Sequence, residues 1–309
     1  MKNNTTTHID LGRRRCMMLL ATLPLLSAGA LTPKTAAAAY QREHLEQKIN
    51  GYIKMLRRRG IIAADEKTAW SVYDFNTRQK LVSINENSAY QSASMIKPFI
   101  ALAYFYKHKH DKKHYPYSYR IRKKMEAMIR YSNNQATNFF IKRLSNKPKS
   151  QRPREVEKIL KRYAPGIFQH TRIREYIPRN GRTYRNRASA RDYSRFLYAL
   201  WHDALPYAHE LKRLMSLRNS DRISVGVNNI PPVTRVYDKT GTTARLCGDM
   251  GIVEAVGRDE NTYPYTFIGI IEKQRRARNY GQWARSRSNV IRSISGMVYD
   301  DMKQRYPLV

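Results

Sequence analysis

Apolar positions change period along the chain, and each change predicts an element. Leu45, Ile49, Ile53 and Leu56 recur at helical intervals, which predicts an amphipathic helix over residues 41–58. Trp70-Ser71-Val72-Tyr73-Asp74-Phe75 alternates as a strand does. Asn76-Thr77-Arg78 is a turn, and Leu81-Val82-Ser83-Ile84 returns as a second strand. From Ser94 to Tyr106 the chain is apolar on most faces, as in a buried helix. Val156, Ile159, Leu160 and Tyr163 mark another helix. Ser189 opens a further one, with Asp192 as capping partner and Tyr193, Phe196, Leu197 and Leu200 on its buried face. Beyond residue 230 strands resume. Gly251–Val256 and Tyr265–Ile271 flank the turn Arg258-Asp259-Glu260-Asn261, and Val290, Ile291, Ile294, Met297 and Val298 line a last helix.

The order is helix, strands, helical insert, strands, helix. It predicts an α/β (α+β) domain over residues 40–309, with one antiparallel sheet flanked by the terminal helices. The sheet lobe comprises residues 40–93 and 230–309, and the helical lobe residues 94–229. No repeat or long linker interrupts it, and the cleft between the lobes is the expected ligand site.

Composition narrows the classes. The 309 residues are 41% hydrophobic and 27% charged, which excludes a disordered chain and a multi-span membrane protein. The first 39 residues read as an export signal: Arg13, Arg14 and Arg15, an apolar run from Cys16 to Leu31, then Ala36–Ala39 as a cleavage region. The arginine pair also fits a twin-arginine signal. The alternative is an uncleaved anchor, but the run is short for a bilayer. Cys16 lies inside the run and is not a convincing lipid-attachment site. Periplasmic or secreted location, by Sec or twin-arginine export, is the expectation. Without the signal, 53 basic and 23 acidic residues remain, a net charge of +30, and so does one cysteine, Cys247. With no Cys–His pairing in view, Cys247 reads as a small core residue. No cofactor or metal is called for; His108, His110 and His114 lack a fixed carboxylate or thiol partner.

Three short segments carry chemistry. Ser94-Met95-Ile96-Lys97 is S-x-x-K. Pro98 is compatible with a helix only near its start, so Ser94 sits at a helix N-terminus with Lys97 one turn on. A serine hydroxyl needs a base, and a lysine serves if burial and nearby positive charge lower its pKa. Ser132-Asn133-Asn134 is S-x-N, or by itself a polar helix cap. Lys239-Thr240-Gly241-Thr242 is K-T-G-T at the head of a strand region, with Gly241 allowing a ligand close to the backbone. Alone, it would be an ordinary strand with a surface lysine.

Together, in this order, the segments resemble those of class A β-lactamases and the related penicillin-binding proteins. The likeness runs from the first helix of the mature chain to the last. It implies that Ser94 attacks a carbonyl to form an acyl-enzyme and that Lys97 takes its proton. Ser132 would relay a proton to the leaving nitrogen, and Lys239 would hold Ser132 and the substrate carboxylate. Asn134 would bind the substrate amide carbonyl, and Thr240 and Thr242 its carboxylate. The N–H groups of Ser94 and Thr242 would form the oxyanion hole, each donor worth about 3 kcal/mol.

Some features depart from that family. Asn133 replaces the usual Asp. Ser94 and Ser132 are 38 residues apart, short for class A, whereas Ser132 and Lys239 are 107 apart, as the family has it. The helical lobe is therefore shortened. Class A enzymes carry a deacylating carboxylate in E-x-x-L-N, just before an I-P pair. Aligning Ile177-Pro178 puts His170 at that position and Glu175 at a later acid. His170 is then either a substitute base or a solvated loop histidine. The arginine that grips the antibiotic carboxylate is replaced near Met250, with Arg245 a possible substitute.

Basic residues crowd two segments: Arg172, Arg174, Arg179, Arg182, Arg185, Arg187, Arg191 and Arg195 in the loop, and Lys107, Lys109, Lys112, Lys113, Arg120, Arg122, Lys123 and Lys124 in the lobe. They are either a solvated face or a docking site for an anionic cell-envelope polymer. Nucleic acid is not an expected partner, because no recognition motif is present; a monomer is expected. The first reading is an exported active-site-serine hydrolase acting on a β-lactam or related amide. The alternatives are a D-alanyl-D-alanine peptidase of peptidoglycan metabolism and a non-catalytic envelope binder on the same scaffold.

Overall fold

The computed structural model describes residues 33–178, 180 and 185–309, with side chains from residue 44. The first 32 residues of the proposed export signal, and Arg179 and Arg182 of the basic loop, lie outside the described residues.

Five strands form one antiparallel sheet: β1 (Glu66–Asp74), β2 (Gln79–Ile84), β5 (Arg235–Thr242), β6 (Leu246–Val256) and β7 (Thr262–Lys273), in spatial order β2-β1-β7-β6-β5. Strands from both ends of the chain thus interleave, and β1 pairs with β7 from Glu66 against Lys273 to Asp74 against Tyr265. β1, β6 and β7 are buried almost throughout because both faces of the sheet are covered.

On one face lie the terminal helices, α1 (Pro33–Arg58) and α8 (Tyr280–Arg305). The predicted Leu45, Ile49, Ile53 and Leu56 stripe packs there with Trp70, Phe267, Ile291 and Ile294. Arg287 of α8 donates to the buried Glu66 carboxylate at 2.6 and 2.8 Å, tying helix to strand. Cys247 is fully buried on this face, and burial pushes its thiol up, in keeping with a core role.

The other face carries the helical lobe: α2 (Lys97–His110), α3 (Tyr119–Ile129), α4 (Asn134–Arg143), α5 (Arg152–Tyr163), α6 (Ala190–Trp201) and α7 (Ala208–Met215). α6 starts as the sequence predicts, with the Asp192 N–H donating to Ser189 Oγ at 3.0 Å. Two three-residue strands not predicted from the sequence, β3 (Ala89–Gln91) and β4 (Arg187–Ser189), pair beside the entry to α2. Pro98 falls within the first two residues of α2, where it removes no helical hydrogen bond.

Candidate active site

Residues 93–96 form a tight 3-10 turn that leads directly into α2. Ala93 holds a left-handed φ of 44° there, and the Met95 N–H donates to Ser92 O at 2.9 Å. The turn leaves Ser94 partly exposed while Lys97 is fully buried.

Lys97 Nζ lies 2.9 Å from Ser94 Oγ, 2.5 Å from Ser132 O and 3.1 Å from Asn134 Oδ1. Two of these atoms accept only; the third belongs to a hydroxyl that can donate. A neutral amine has two N–H bonds and one lone pair, which matches this set with the lone pair on Ser94. Burial, then the charge of Lys239, lowers the Lys97 pKa to about 6. The amine is therefore free to take the Ser94 proton at neutral pH.

Ser132 and Asn134 reach Lys97 because of how α4 begins. Ser132 has a left-handed φ of 52°. Asn133 then caps the helix, its side chain accepting the Ala136 N–H at 2.8 Å. Asn and Asp cap equally well, which accounts for Asn133 where the family has Asp. The cap and the catalytic motif are one feature, not alternatives.

Lys239 and Gly241 on β5 face the helical lobe, opposite Met250 and Gly248 of β6. A β-carbon on Gly241 would meet Met95 Cγ at 2.9 Å and Ser92 O at 3.1 Å. The neighbour that requires glycine is therefore the serine turn itself, as well as any ligand. Lys239 Nζ donates to Thr240 O at 3.1 Å and Oγ1 at 3.4 Å. The expected Lys239–Ser132 hydrogen bond is not formed in this arrangement, although the two lysines are close enough to repel.

Behind β5 lies a charged network that spacing did not reveal. Arg222, only 9% exposed, donates to Thr242 Oγ1 at 2.6 Å, to Gly248 O at 2.9 Å and to Ser288 Oγ at 2.8 Å. Asp249 accepts the Arg222 N–H at 2.7 Å, and burial raises its carboxyl to about 6. Asp238 is buried beside Asp249 and Asp221, and burial with those two charges pushes its carboxyl well up. Met250 is buried and Arg245 donates to Lys273 O at 3.3 Å. It is Arg222, twenty residues before Thr242, that reaches the carboxylate-binding strand. Local sequence gives no signal for it.

The loop between α5 and β4 is held by two asparagines. Asn186 Oδ1 accepts the N–H groups of Arg174 and Glu175 at 2.8 and 3.1 Å. Asn138 donates to Ile177 O at 2.7 Å and accepts the Ile177 N–H at 2.9 Å. Asn138 is one turn along α4 from Asn134, so the loop residue fixed nearest the lysine cluster is Ile177. The alignment that put His170 at the general-base position is corrected. His170 Nδ1 lies 3.5 Å from Asp192 Oδ1 and 3.4 Å from Ser189 Oγ, at the start of α6, and the ring bonds none of Ser94, Lys97, Ser132 or Asn134. Glu175 Oε1 accepts the Arg185 N–H at 2.8 Å.

The basic segments divide. In the loop, Arg172 and Arg174 approach Glu157, Arg187 approaches Glu272, and Arg191 pairs with Glu86 at 3.0 Å. In the lobe, Lys109, Lys112, Lys113 and Arg120 are exposed. His108 Nδ1 contacts Tyr115 O, His110 stacks on Tyr163, and His114 pairs with Asp111. Among the described residues, no group of three or more His, Cys, Asp or Glu could hold a metal ion, and no helix is long and apolar enough to cross a membrane.

Comparison with known proteins agrees with this arrangement. PBP-A superposes with a TM-score of 0.65 at 18% identity, over 84% of this chain and 96% of that one. A PBP-A variant described as an acyl-enzyme complex with penicillin G gives 0.64 at 17%, over 86% and 97%. A class A β-lactamase from Bacteroides cellulosilyticus gives 0.63 at 17%, over 85% and 99%. At these identities the likeness establishes the β-lactamase-like fold. No curated protein sequence matches the chain. A family model described as the beta-lactamase enzyme family matches residues 108–302, most of the chain, so the protein belongs to that family of serine hydrolases.

Proposed function

We propose that the protein is an exported penicillin-binding serine enzyme, acylated at Ser94 by a β-lactam or a peptidoglycan-derived D-alanyl amide and slow to deacylate. The observation that carries this is the buried Lys97 amine 2.9 Å from Ser94 Oγ, flanked by two acceptor-only oxygens. As the Ser94 Oγ–carbonyl bond forms, Lys97 takes the hydroxyl proton. The N–H groups of Ser94 and Thr242 receive the oxyanion. Ser132 passes a proton to the nitrogen as the C–N bond breaks. Asn134 binds the substrate amide. Lys239, Thr240 and Thr242 bind its carboxylate, with Arg222 adding positive charge behind Thr242.

Deacylation needs a base that activates water. Ile177 in the loop beside α4, with His170 turned to α6, favours slow release of the acyl group and hence the peptidase-like reading over an efficient β-lactamase. PBP-A, a structural neighbour, is described as an acyl-enzyme complex with penicillin G. Intact-mass spectrometry after addition of benzylpenicillin tests the reading. A lasting adduct, absent in Ser94→Ala, is expected. Rapid drug loss without an adduct would instead identify an efficient β-lactamase. Unchanged drug and no adduct would leave the non-catalytic binder.

The exposed lysines of the helical lobe favour a second role, attachment to an anionic envelope polymer. Retention on a polyphosphate-coated support should then fall steeply with salt; salt-independent retention would rule it out.

A further inference from the structure

A cavity of about 780 Å³ lies between α4, the start of α5 and the asparagine-held loop, apart from the serine cleft. None of Ser94, Lys97, Ser132 or Lys239 lines it. Its volume falls in the range of small-molecule sites. Phe139, Tyr176 and Ile177 form an apolar side, and Lys142, Lys149 and Arg152 a cationic one.

The charges favour an anion. Lys142 and Lys149 are exposed and make no ion pair among the described residues. Arg152 Nε donates to Lys147 O at 2.8 Å, which holds the guanidinium at the rim. A further cation, Lys124, sits 4.9 Å from the Phe139 ring centre. The one acid of the lining, Glu175, is engaged by the Arg185 N–H.

Position ties the cavity to the chemistry. Asn134, Asn138 and Lys142 follow one another at four-residue spacing along α4. Asn138 lines the cavity and clamps Ile177; Asn134 touches Lys97. At about 1.5 Å rise per residue, Asn138 lies about 6 Å and Lys142 about 12 Å beyond Asn134 along the helix.

We propose that this cavity is a binding subsite for a carboxylate carried on an apolar arm: the ring or alkyl body packs on Phe139 and Tyr176, and Lys142 and Lys149 close on the carboxylate. Such a group belongs either to the acyl donor itself or to a separate ligand. The link to Ser94 rests on the acyl-enzyme reading; the cavity's affinity for the anion does not.

The test compares Ser94 acylation by benzylpenicillin and by its α-carboxy derivative, read by intact mass. The carboxylated drug should acylate about tenfold faster, the scale of one charge-assisted contact. Lys142→Ala/Lys149→Ala should abolish that preference and leave the benzylpenicillin rate unchanged. A Lys109→Ala/Lys112→Ala control should keep it; loss there too would make general surface charge the cause and overturn the subsite. In a second arm, benzoate is titrated against the full chain and amide shifts at Tyr176 and Ile177 are followed by NMR. Saturable shifts lost in Lys142→Ala/Lys149→Ala, without any drug preference, would assign the cavity to a separate ligand. Neither preference nor saturable shifts would overturn the proposal. Failure of benzylpenicillin to acylate the native protein would remove the acyl-enzyme reading, and the benzoate arm alone would then decide the cavity.

Discussion

Met95 fills the space that a β-carbon on Gly241 would need. Its Cγ lies 2.9 Å from that point, with Ala93 Cβ at 3.2 Å, and its Cε lies 2.8 Å from the equivalent point on Gly248. The serine turn is thus seated on two bare glycines of β5 and β6. This contact sets the distance between the N–H groups of Ser94 and Thr242.

Gly241→Ala should push that turn off the strand. Overpacking of this kind costs about 1–3 kcal/mol, and separating the two oxyanion donors should slow acylation by about 100-fold. Thermal unfolding and the penicillin acylation rate, measured on one preparation, check both effects. An unaltered rate would mean that the turn and the strand are not mechanically coupled.

The Lys97 pKa of about 6 sets the pH response. The amine acts as a base only when neutral, so the acylation rate should rise with pH and level off above about 6. At pH 5 about one amine in ten is neutral, and the rate should be about a tenth of the plateau. Lys239→Met removes a neighbouring cation, so Lys97 holds its proton more strongly and the acid limb should move to higher pH. Stability should respond as well. Between pH 6 and 10.5 the unfolded chain binds the Lys97 proton and the folded one does not, so this residue makes the protein more stable as pH rises through that window.

Asp238 offers a test of opposite sign. Its Oδ1 accepts the Asn219 N–H at 2.9 Å, while its Oδ2 is buried without a hydrogen-bond partner. Burial with two neighbouring carboxylates holds the group protonated well above its ordinary 3.8. The protonated form adds stability that is complete below 3.8 and is lost as pH climbs toward the raised folded value. Asp238→Asn copies the neutral group and removes that slope. The variant should melt at or above the native temperature at pH 7, with the gap widening from pH 5 to 8. A clear drop in Tm at pH 7 would show instead an ionised Asp238 paired with Lys239.

Much of this was legible from local pattern, and the reasons differ by element. The stripe Leu45, Ile49, Ile53 and Leu56 and the alternation through Trp70 and Val72 each face one side of a layered core, so their periods survive in the sequence. S-x-x-K, S-x-N and K-T-G were readable because each spans one turn or one strand segment. β3 and β4 were not, since three residues carry no period. Arg222 meets Thr242 only through tertiary folding, across residues of loop and strand with no shared pattern. The loop was misread for a similar reason. Its Ile-Pro pair invited an alignment on His170, but the registration is set by the side chain of Asn138, which closes on Ile177 from a different helix.

That clamp makes residue 177 the place to restore a missing function. Ile177 is 3% exposed, and its backbone is fixed one helical turn from Asn134, which contacts Lys97. An isoleucine there cannot activate water. Ile177→Glu would place a carboxylate at the loop position held nearest the acyl-enzyme, without altering Ser94, Lys97 or the oxyanion donors. General-base assistance contributes about 10²–10⁴-fold, so the penicillin adduct should be lost at least about 100-fold faster while the acylation rate stays within a few-fold. Burying a carboxylate has a cost, and the variant should melt several degrees lower at pH 7 than at pH 5, where the group takes up a proton more readily. Adduct lifetime by intact mass, with drug turnover measured in parallel, decides the matter. Ile177→Gln is the control: similar in shape to Glu but unable to accept a proton, it should leave the adduct long-lived. Equal lifetimes for Ile177→Glu and Ile177→Gln would show that residue 177 does not reach the ester, and slow deacylation would then need another cause.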